Sequence, residues 1–294
     1  MYMLNLTKND IGKHVKIWKS ILKCNSLKKK YSYKEILTQI DIEDDPKKTN
    51  IIDLDVKRTT LKNDIEKGRL AITKILKAFV YVENKIKYCQ GMNYIAAFLY
   101  QITGYQEEES FYLMLGLITN SLFGVIFTED DMIKLKTFFY VLRRLIFLYM
   151  PELISFFNVN GVNIRYFASP WFITLFTIFY QHLEEINSKV LVQIWDDFLI
   201  HGWKSIFSSM LAVIKYNYGI LLTLRGDELL TFMINDLAKS SIFKNENYEI
   251  FNKLKKEYKL KTTIVRNLEE EIELEAGIDK INMSLLIDKS FEEN

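Results

Sequence analysis

The sequence is short of the residues that make turns. Its 294 positions hold three prolines and eleven glycines, well under the roughly 5% and 7% of an average chain. A many-stranded sandwich or barrel needs Gly, Pro, Asn and Asp at frequent turns, so this scarcity excludes those architectures and leaves long helices. Cysteine is almost missing: Cys24 and Cys89 lie far apart in no metal or redox spacing, which predicts a reduced, intracellular chain. The histidines, His14, His182 and His201, share no ligand spacing, so no metal site is expected. There is no G-x-x-x-x-G-K-[ST] or G-x-G-x-x-G phosphate loop and no G-x-S-x-G nucleophile elbow. The longest apolar run, PWFITLFTIFY at 170–180, falls short of the roughly 20 residues a membrane span needs. The N-terminus is polar every few residues and lacks the apolar core of a signal peptide. A soluble, cytoplasmic protein is expected.

A strong net charge is also missing. Lys and Arg number 39 against 37 Asp and Glu, a net +2. A dedicated nucleic-acid binder needs a basic surface for phosphates, so no nucleic-acid partner is expected. The total hides an uneven placement. Residues 1–88 carry 20 basic and 11 acidic side chains, a net +9, whereas 268–294 carry two and nine, a net −7. The basic front is either a solvated face or a surface for an anionic membrane or a phosphate-bearing partner. What the chain has in abundance is apolar surface, at 49% hydrophobic and 14% aromatic. Intrinsic disorder requires the opposite and is excluded.

Apolar residues recur at helical spacing almost throughout. Ile65, Ile72, Ile75, Leu76, Phe79, Val82 and Ile86 form one stripe, with Asp64 or Asn63 available as a cap. A second helix is predicted from near Gln90 to Gly104, and a third after Glu107–Glu109, which suit a helix N-terminus. Residues 132–149 form the clearest pattern, ended by Pro151. Ser169-Pro170 is expected to open another helix, Ser188 to cap the next and Gly202 to close it. Further helices follow over 203–216 and 246–260. The charge-dense stretch 22–50 is expected to be a surface loop. Trp18, Trp171, Trp195 and Trp203 fall within apolar patterns and are expected in the core. Asp196 and Asp197 are neighbours that point about 100° apart on a helix, so they cannot share a site, and a solvated face is expected.

Two short segments stand out. In Ile52-Asp53-Leu54-Asp55-Val56-Lys57-Arg58-Thr59, an arginine follows an aspartate by three residues, close enough for Asp55 to orient the guanidinium. In Tyr88-Cys89-Gln90-Gly91-Met92-Asn93, a glutamine precedes a glycine at a loop-to-helix junction, where the backbone is open to close approach. Alone, the first would be an ordinary salt bridge and the second a structural cap.

Together they resemble the signature motifs of the TBC domain, the family of Rab GTPase-activating proteins. Ile52, Asp55 and Arg58 match I-x-x-D-x-x-R, and Tyr88, Gln90, Gly91 and Met92 match Y-x-Q-G-M. The resemblance extends to His14 through Leu22 (R-x-x-x-W-x-x-L-L, with His14 in place of Arg) and Pro151-Glu152-Leu153. It continues in Trp171 to Phe176 (W-F-x-x-L-F) and in Gln193 to Gly202 (R-I-W-D-x-F-L-x-x-G, with Gln193 in place of Arg). Residues 1–260 are therefore expected to form one all-α, multi-helix TBC domain, followed by an acidic helix or tail over 261–294. That tail is either solvated or a cover over the basic front.

The resemblance implies a Rab-family small GTPase as partner. Arg58 and Gln90 would enter its nucleotide site as catalytic fingers, Asp55 would orient Arg58, and Thr59, Tyr88, Gly91 and Asn93 would support them. GTP and Mg²⁺ would belong to the partner, leaving this chain with no cofactor. Loop 41–50 and Trp171 and Phe172 are expected to contact the Rab, and membranes would be reached only through that partner, peripherally on endomembranes. The alternative is a non-catalytic scaffold that binds a Rab in the same groove.

Overall fold

Burial of the apolar stripes produces a stack of helices. The computed structural model describes residues 8–42, 46–61, 64–128, 132–180 and 188–276, and no strand occurs among them. The chain begins with α1 (Lys8–Ile21), α2 (Cys24–Lys30), α3 (Tyr33–Ile42) and α4 (Pro46–Lys57), then α5 (Ile65–Val82), α6 (Met92–Ile102) and α7 (Glu107–Asn120). The second half holds α8 (Ile133–Tyr149), α9 (Pro151–Val159), α10 (Ile164–Thr174), the short α11 (Thr177–Tyr180), α12 (Lys189–His201) and α13 (Trp203–Tyr216). It ends with the short α14 (Tyr218–Leu221), α15 (Gly226–Thr231), α16 (Tyr248–Glu257) and α17 (Thr262–Ala276). The all-α expectation holds.

The core is organised around α6. It is buried on every side from Ile95 to Ile102, the signature of a helix apolar all round. Helices α5, α7, α10 and α11 pack against it. The stripe predicted over 65–86 becomes α5, whose Ile72, Ile75, Leu76 and Phe79 are buried. Asp64 caps it by accepting a hydrogen bond from the Lys67 amide at 3.2 Å.

Aromatic contacts tie the two halves together. The Trp18 ring of α1 lies 5.3 Å from Trp195 of α12, and Phe98 of α6 lies 4.9 Å from Trp195. A second cluster joins Phe138, Phe172 and Trp203, with Phe138 to Trp203 at 4.7 Å. Buried indoles need an acceptor for their N–H. Trp18 donates to Asp196 at 2.7 Å, Trp195 to the Leu175 carbonyl at 3.2 Å and Trp203 to the Leu122 carbonyl at 3.0 Å. Truncating any of them to alanine would cost roughly 3–5 kcal/mol.

Four expectations need correction. The stretch 22–50 is not a loop, since its described residues form α2, α3 and the start of α4. Leu27, Tyr33 and Ile36 turn inward, while charged side chains point out or pair, as Lys28 does with Glu109. Charge density hid the apolar minority that anchors these helices. Residues 43–45, inside the predicted contact loop 41–50, lie outside the described residues. Second, Ser169-Pro170 does not open a helix. Asn163 caps α10 instead, accepting from the Arg165 amide at 3.0 Å, and Pro170 sits inside. Third, Asp196 and Asp197 are not a solvated face: Asp196 takes the Trp18 indole and lies 2.8 Å from His14 Nδ1, and Asp197 pairs with Lys255. Fourth, the described part of the acidic tail is neither free nor over the basic front. As α17 it packs on α8, burying Val265, Leu268 and Ile272, with Lys134 to Glu269 at 3.1 Å and Arg144 to Glu271 at 3.0 Å.

Glu109 of α7 sits between Lys19 of α1 and Lys28 of α2. Burial would raise its carboxyl, but hydrogen bonds from both ammonium groups outweigh that and hold it below its ordinary 4.5. A carboxyl lowered in the folded state stabilises the fold above its unfolded pKa, and the contribution disappears as pH falls through the folded value. Glu109→Gln should therefore lower the urea midpoint at neutral pH and match the parent chain in strong acid. A gap that stays constant across the acid titration would refute this account.

Candidate functional site

The two singled-out segments meet at one edge of the helix stack. Asp55 lies in the last turn of α4, and Arg58 follows immediately after the helix ends. Residues 83–91 return from the far end of α5 to the start of α6, bringing Tyr88, Gln90 and Gly91 beside them. Because α4 packs on both α5 and α6, residues more than thirty positions apart become neighbours.

Asp55 is the junction. Its side chain is 5% exposed, while that of Arg58 is 50% exposed. One carboxylate oxygen pairs with Arg58 Nη2, and the other accepts the Tyr88 hydroxyl at 2.7 Å. The buried carboxylate therefore fixes the root of the guanidinium while its outer edge stays open to solvent. Burial, and next the hydrogen bond to Asp55, push the Tyr88 phenol well above its usual range, so it remains a donor.

Beneath this lies a fully buried layer. Asn93 Nδ2 donates to Thr59 Oγ1 at 2.8 Å, and the Thr59 hydroxyl donates in turn to the Asp55 carbonyl at 2.8 Å. Asn93 Oδ1 accepts the Gly91 amide at 3.1 Å. One side chain at the start of α6 thus holds both the Arg58 segment and the loop that presents Gln90. Gln90 itself is exposed at the tip of that loop.

Gly91 has φ +111°, a conformation L side chains rarely adopt. A Cβ there would also meet Ile173 at 3.0 Å and Thr174 at 3.1 Å, both in α10. Any side chain would push the Gln90 loop away from α10. The site is thus built by α4, α6 and α10 together.

The arrangement presents one oriented guanidinium and one exposed carboxamide on two segments tied by the same network, a pair suited to phosphate oxygens and a water molecule. Of the predicted site residues, Asp55, Arg58, Thr59, Tyr88, Gly91 and Asn93 form one connected network, and Gln90 hangs from it. Trp171 and Phe172 do not belong on a binding surface. They are 1% and 0% exposed, with Phe172 packed on Phe138 and Trp171 on Phe176. The structure corrects their expected contact with a partner: they shape α10, which walls Gly91. Sequence reasoning missed Arg69. Its Nη2 donates to the Lys57 carbonyl at 2.7 Å, securing the C-terminal end of α4 one residue before Arg58. No local signal marks it, because the bond spans the α4–α5 turn.

Neither cysteine is activated. Burial pushes Cys24 up to about 12, and burial with the nearby Asp55 charge pushes Cys89 up to about 11. No helix among the described residues is long and apolar enough to cross a membrane.

Comparison with known proteins follows the same residues. Residues 14–222 match the family model for the Rab-GTPase-TBC domain. A TBC domain-containing protein of Schizosaccharomyces pombe is 27% identical over 233 residues, covering 77% of this chain and 29% of that protein. The Rab GTPase-activating protein eat-17 of Caenorhabditis elegans is 24% identical over 290 residues, covering 93% of this chain and 31% of its own length. The growth hormone-regulated TBC protein 1 of Xenopus laevis is 26% identical, covering 82% of this chain and 70% of that one. The chain thus spans under a third of the first two of these relatives. Among solved structures, the Chlamydomonas flagellar RabGAP TBC domain superposes with a TM-score of 0.65 at 20% identity, over 86% of this chain and 85% of that one.

Two outcomes check the geometry. Asn93→Ala, which strands buried donors and acceptors, should lower stability by about 2–3 kcal/mol in urea unfolding; a loss under half that would mean the layer is wet or slack. Iodoacetamide should label Cys89 slowly at neutral pH, with the rate climbing toward a pKa near 11. Fast labelling at pH 7 would contradict the burial described.

Proposed function

The chain belongs to the Rab-GTPase-TBC domain family, and from that premise we propose that it accelerates GTP hydrolysis by a Rab-family small GTPase. Arg58 and Gln90 act as fingers in the partner's nucleotide site. The observation that carries this reading is the Asp55 junction: it leaves the Arg58 guanidinium exposed yet anchored, and through Tyr88 ties that segment to the loop that carries the exposed Gln90.

The physical logic is that of phosphoryl transfer. Water attacks the γ-phosphorus, the bond to the bridging oxygen of GDP breaks, and negative charge spreads over the transferred and leaving oxygens. A guanidinium inserted from outside offsets that charge, an effect on the order of 10³–10⁵ in rate, or about 4–7 kcal/mol of barrier. Arg58 suits the task because its planar fork keeps its charge and can contact two oxygens together. The Gln90 amide can accept a hydrogen bond from the attacking water and donate one to a phosphate oxygen, holding the water in line. GTP and Mg²⁺ arrive bound to the partner, so this chain needs no cofactor. It meets endomembranes through that partner.

Single-turnover GTP hydrolysis across a panel of Rabs tests this. The parent chain should stimulate at least one Rab. Arg58→Ala should abolish about 10³-fold or more of that stimulation, and Arg58→Lys should not restore it, because a point charge lacks the fork. Gln90→Ala should also lose activity while keeping the fold. Stimulation that survives Arg58→Ala would sink the arginine-finger mechanism. Tight binding to a GTP-locked Rab without any stimulated hydrolysis would instead identify a docking scaffold.

A further inference from the structure

A second polar region lies on different elements from those that carry Arg58 and Gln90. Helices α12, α13 and α16 line a half-open cavity of about 600 Å³, within the roughly 300–1,000 Å³ of ordinary small-molecule sites. Four lysines line it: Lys204 of α13, Lys255 and Lys256 of α16, and Lys259 just beyond. Asp197 is the one carboxylate on its wall, and Lys255 already takes it as a partly buried ion pair.

The remaining cations are unmatched. The Lys256 and Lys259 side chains make no hydrogen bond or ion pair among the described residues, and the Lys204 ammonium has a hydroxyl as its partner, Thr262 at 2.9 Å. Exposed lysines usually fan out into water. Here three of them line one shared concavity, an arrangement that favours an anion between them. The wall adds a neutral donor: the Gln193 oxygen accepts the Tyr248 hydroxyl at 2.9 Å, leaving its NH₂ group for a ligand. Burial also drives the Lys255 ammonium downward against the pull of Asp197, so this lysine lies at the least solvated part of the wall.

Flexible ammonium groups act as point charges and suit phosphate, and several around one cleft suit several phosphates. We propose that this cavity binds a small polyanion with two or more phosphate groups, of inositol-polyphosphate size, held by Lys204, Lys256 and Lys259. The same chemistry could come from a soluble phosphate compound or from the headgroup of a phosphorylated lipid. Neither the Rab reading nor its failure bears on this site, because Arg58 and Gln90 take no part in it.

Titration calorimetry of the full chain with inositol trisphosphate, and flotation with phosphatidylcholine vesicles containing phosphatidylinositol bisphosphate, test it. Saturable binding that weakens with salt is expected. The double variant Lys256→Gln/Lys259→Gln should weaken it by roughly tenfold or more without shifting the melting temperature of the free protein. Lys204→Gln provides an independent check should the double variant fold poorly. Vesicle binding that trisphosphate displaces identifies a lipid headgroup; trisphosphate binding without vesicle binding identifies a soluble ligand. The proposal is overturned if neither probe binds saturably at millimolar concentration, or if the lysine variants bind as the parent does. It is equally overturned if phosphatidylserine vesicles or poly-glutamate compete as well as the phosphates, since that would be general attraction to negative charge.

Discussion

A buried carboxylate must satisfy its oxygens or carry a heavy desolvation cost, and Asp55 meets that demand in a way that organises everything near it. Its two oxygens go to Arg58 and Tyr88, and its own carbonyl accepts Thr59. Arg58 and Thr59 follow α4 while Tyr88 lies in the loop before α6, so satisfying Asp55 sets the end of α4 against that loop. Asn93 closes the arrangement from below. Without a tightly packed α6 there would be no fixed point for this network. That helix is buried on nearly every side because α5, α7, α10 and α11 surround it.

This division of labour explains why the aromatic core extends so close to the rim. Trp171 and Phe172 fill the space under α10, and α10 in turn walls Gly91 with Ile173 and Thr174. The backbone past α10 turns through left-handed residues at Leu175 and Phe176, and the Trp195 indole secures the Leu175 carbonyl. Such conformations are costly for side chains of that size and persist only where packing over-determines them. Core and rim are therefore one mechanical unit, with the polar network as its exposed face.

Much of this was legible locally. The helical stripes gave α5 through α8, α12 and α13 with caps at Asp64 and Ser188, because amphipathic periodicity and capping depend on residues within a few positions of each other. The readings that failed share a cause. The helices within 22–50 are masked by the charged and polar residues that outnumber the apolar ones across that stretch. Pro170 resembles a helix start from its neighbours alone, because a proline inside a helix is tolerated only when distant packing holds it. Nothing local marks Asp196 and Asp197 as paired, because Trp18, His14 and Lys255 lie 58 or more positions away.

The sequence by itself determined that this is an all-helical chain with a paired D-x-x-R and Q-G signature, since composition, periodicity and motif spacing are properties of neighbours along the chain. Tertiary structure decided what those residues do to one another. Only packing of α4 on α5 and α6 brings Asp55 to Tyr88 across 33 positions, buries Trp171 and Phe172 away from any partner, and gathers lysines from two helices around one cavity. Hydrogen bonds and charge fields act over a few ångströms of space, and separation along the chain says little about those distances.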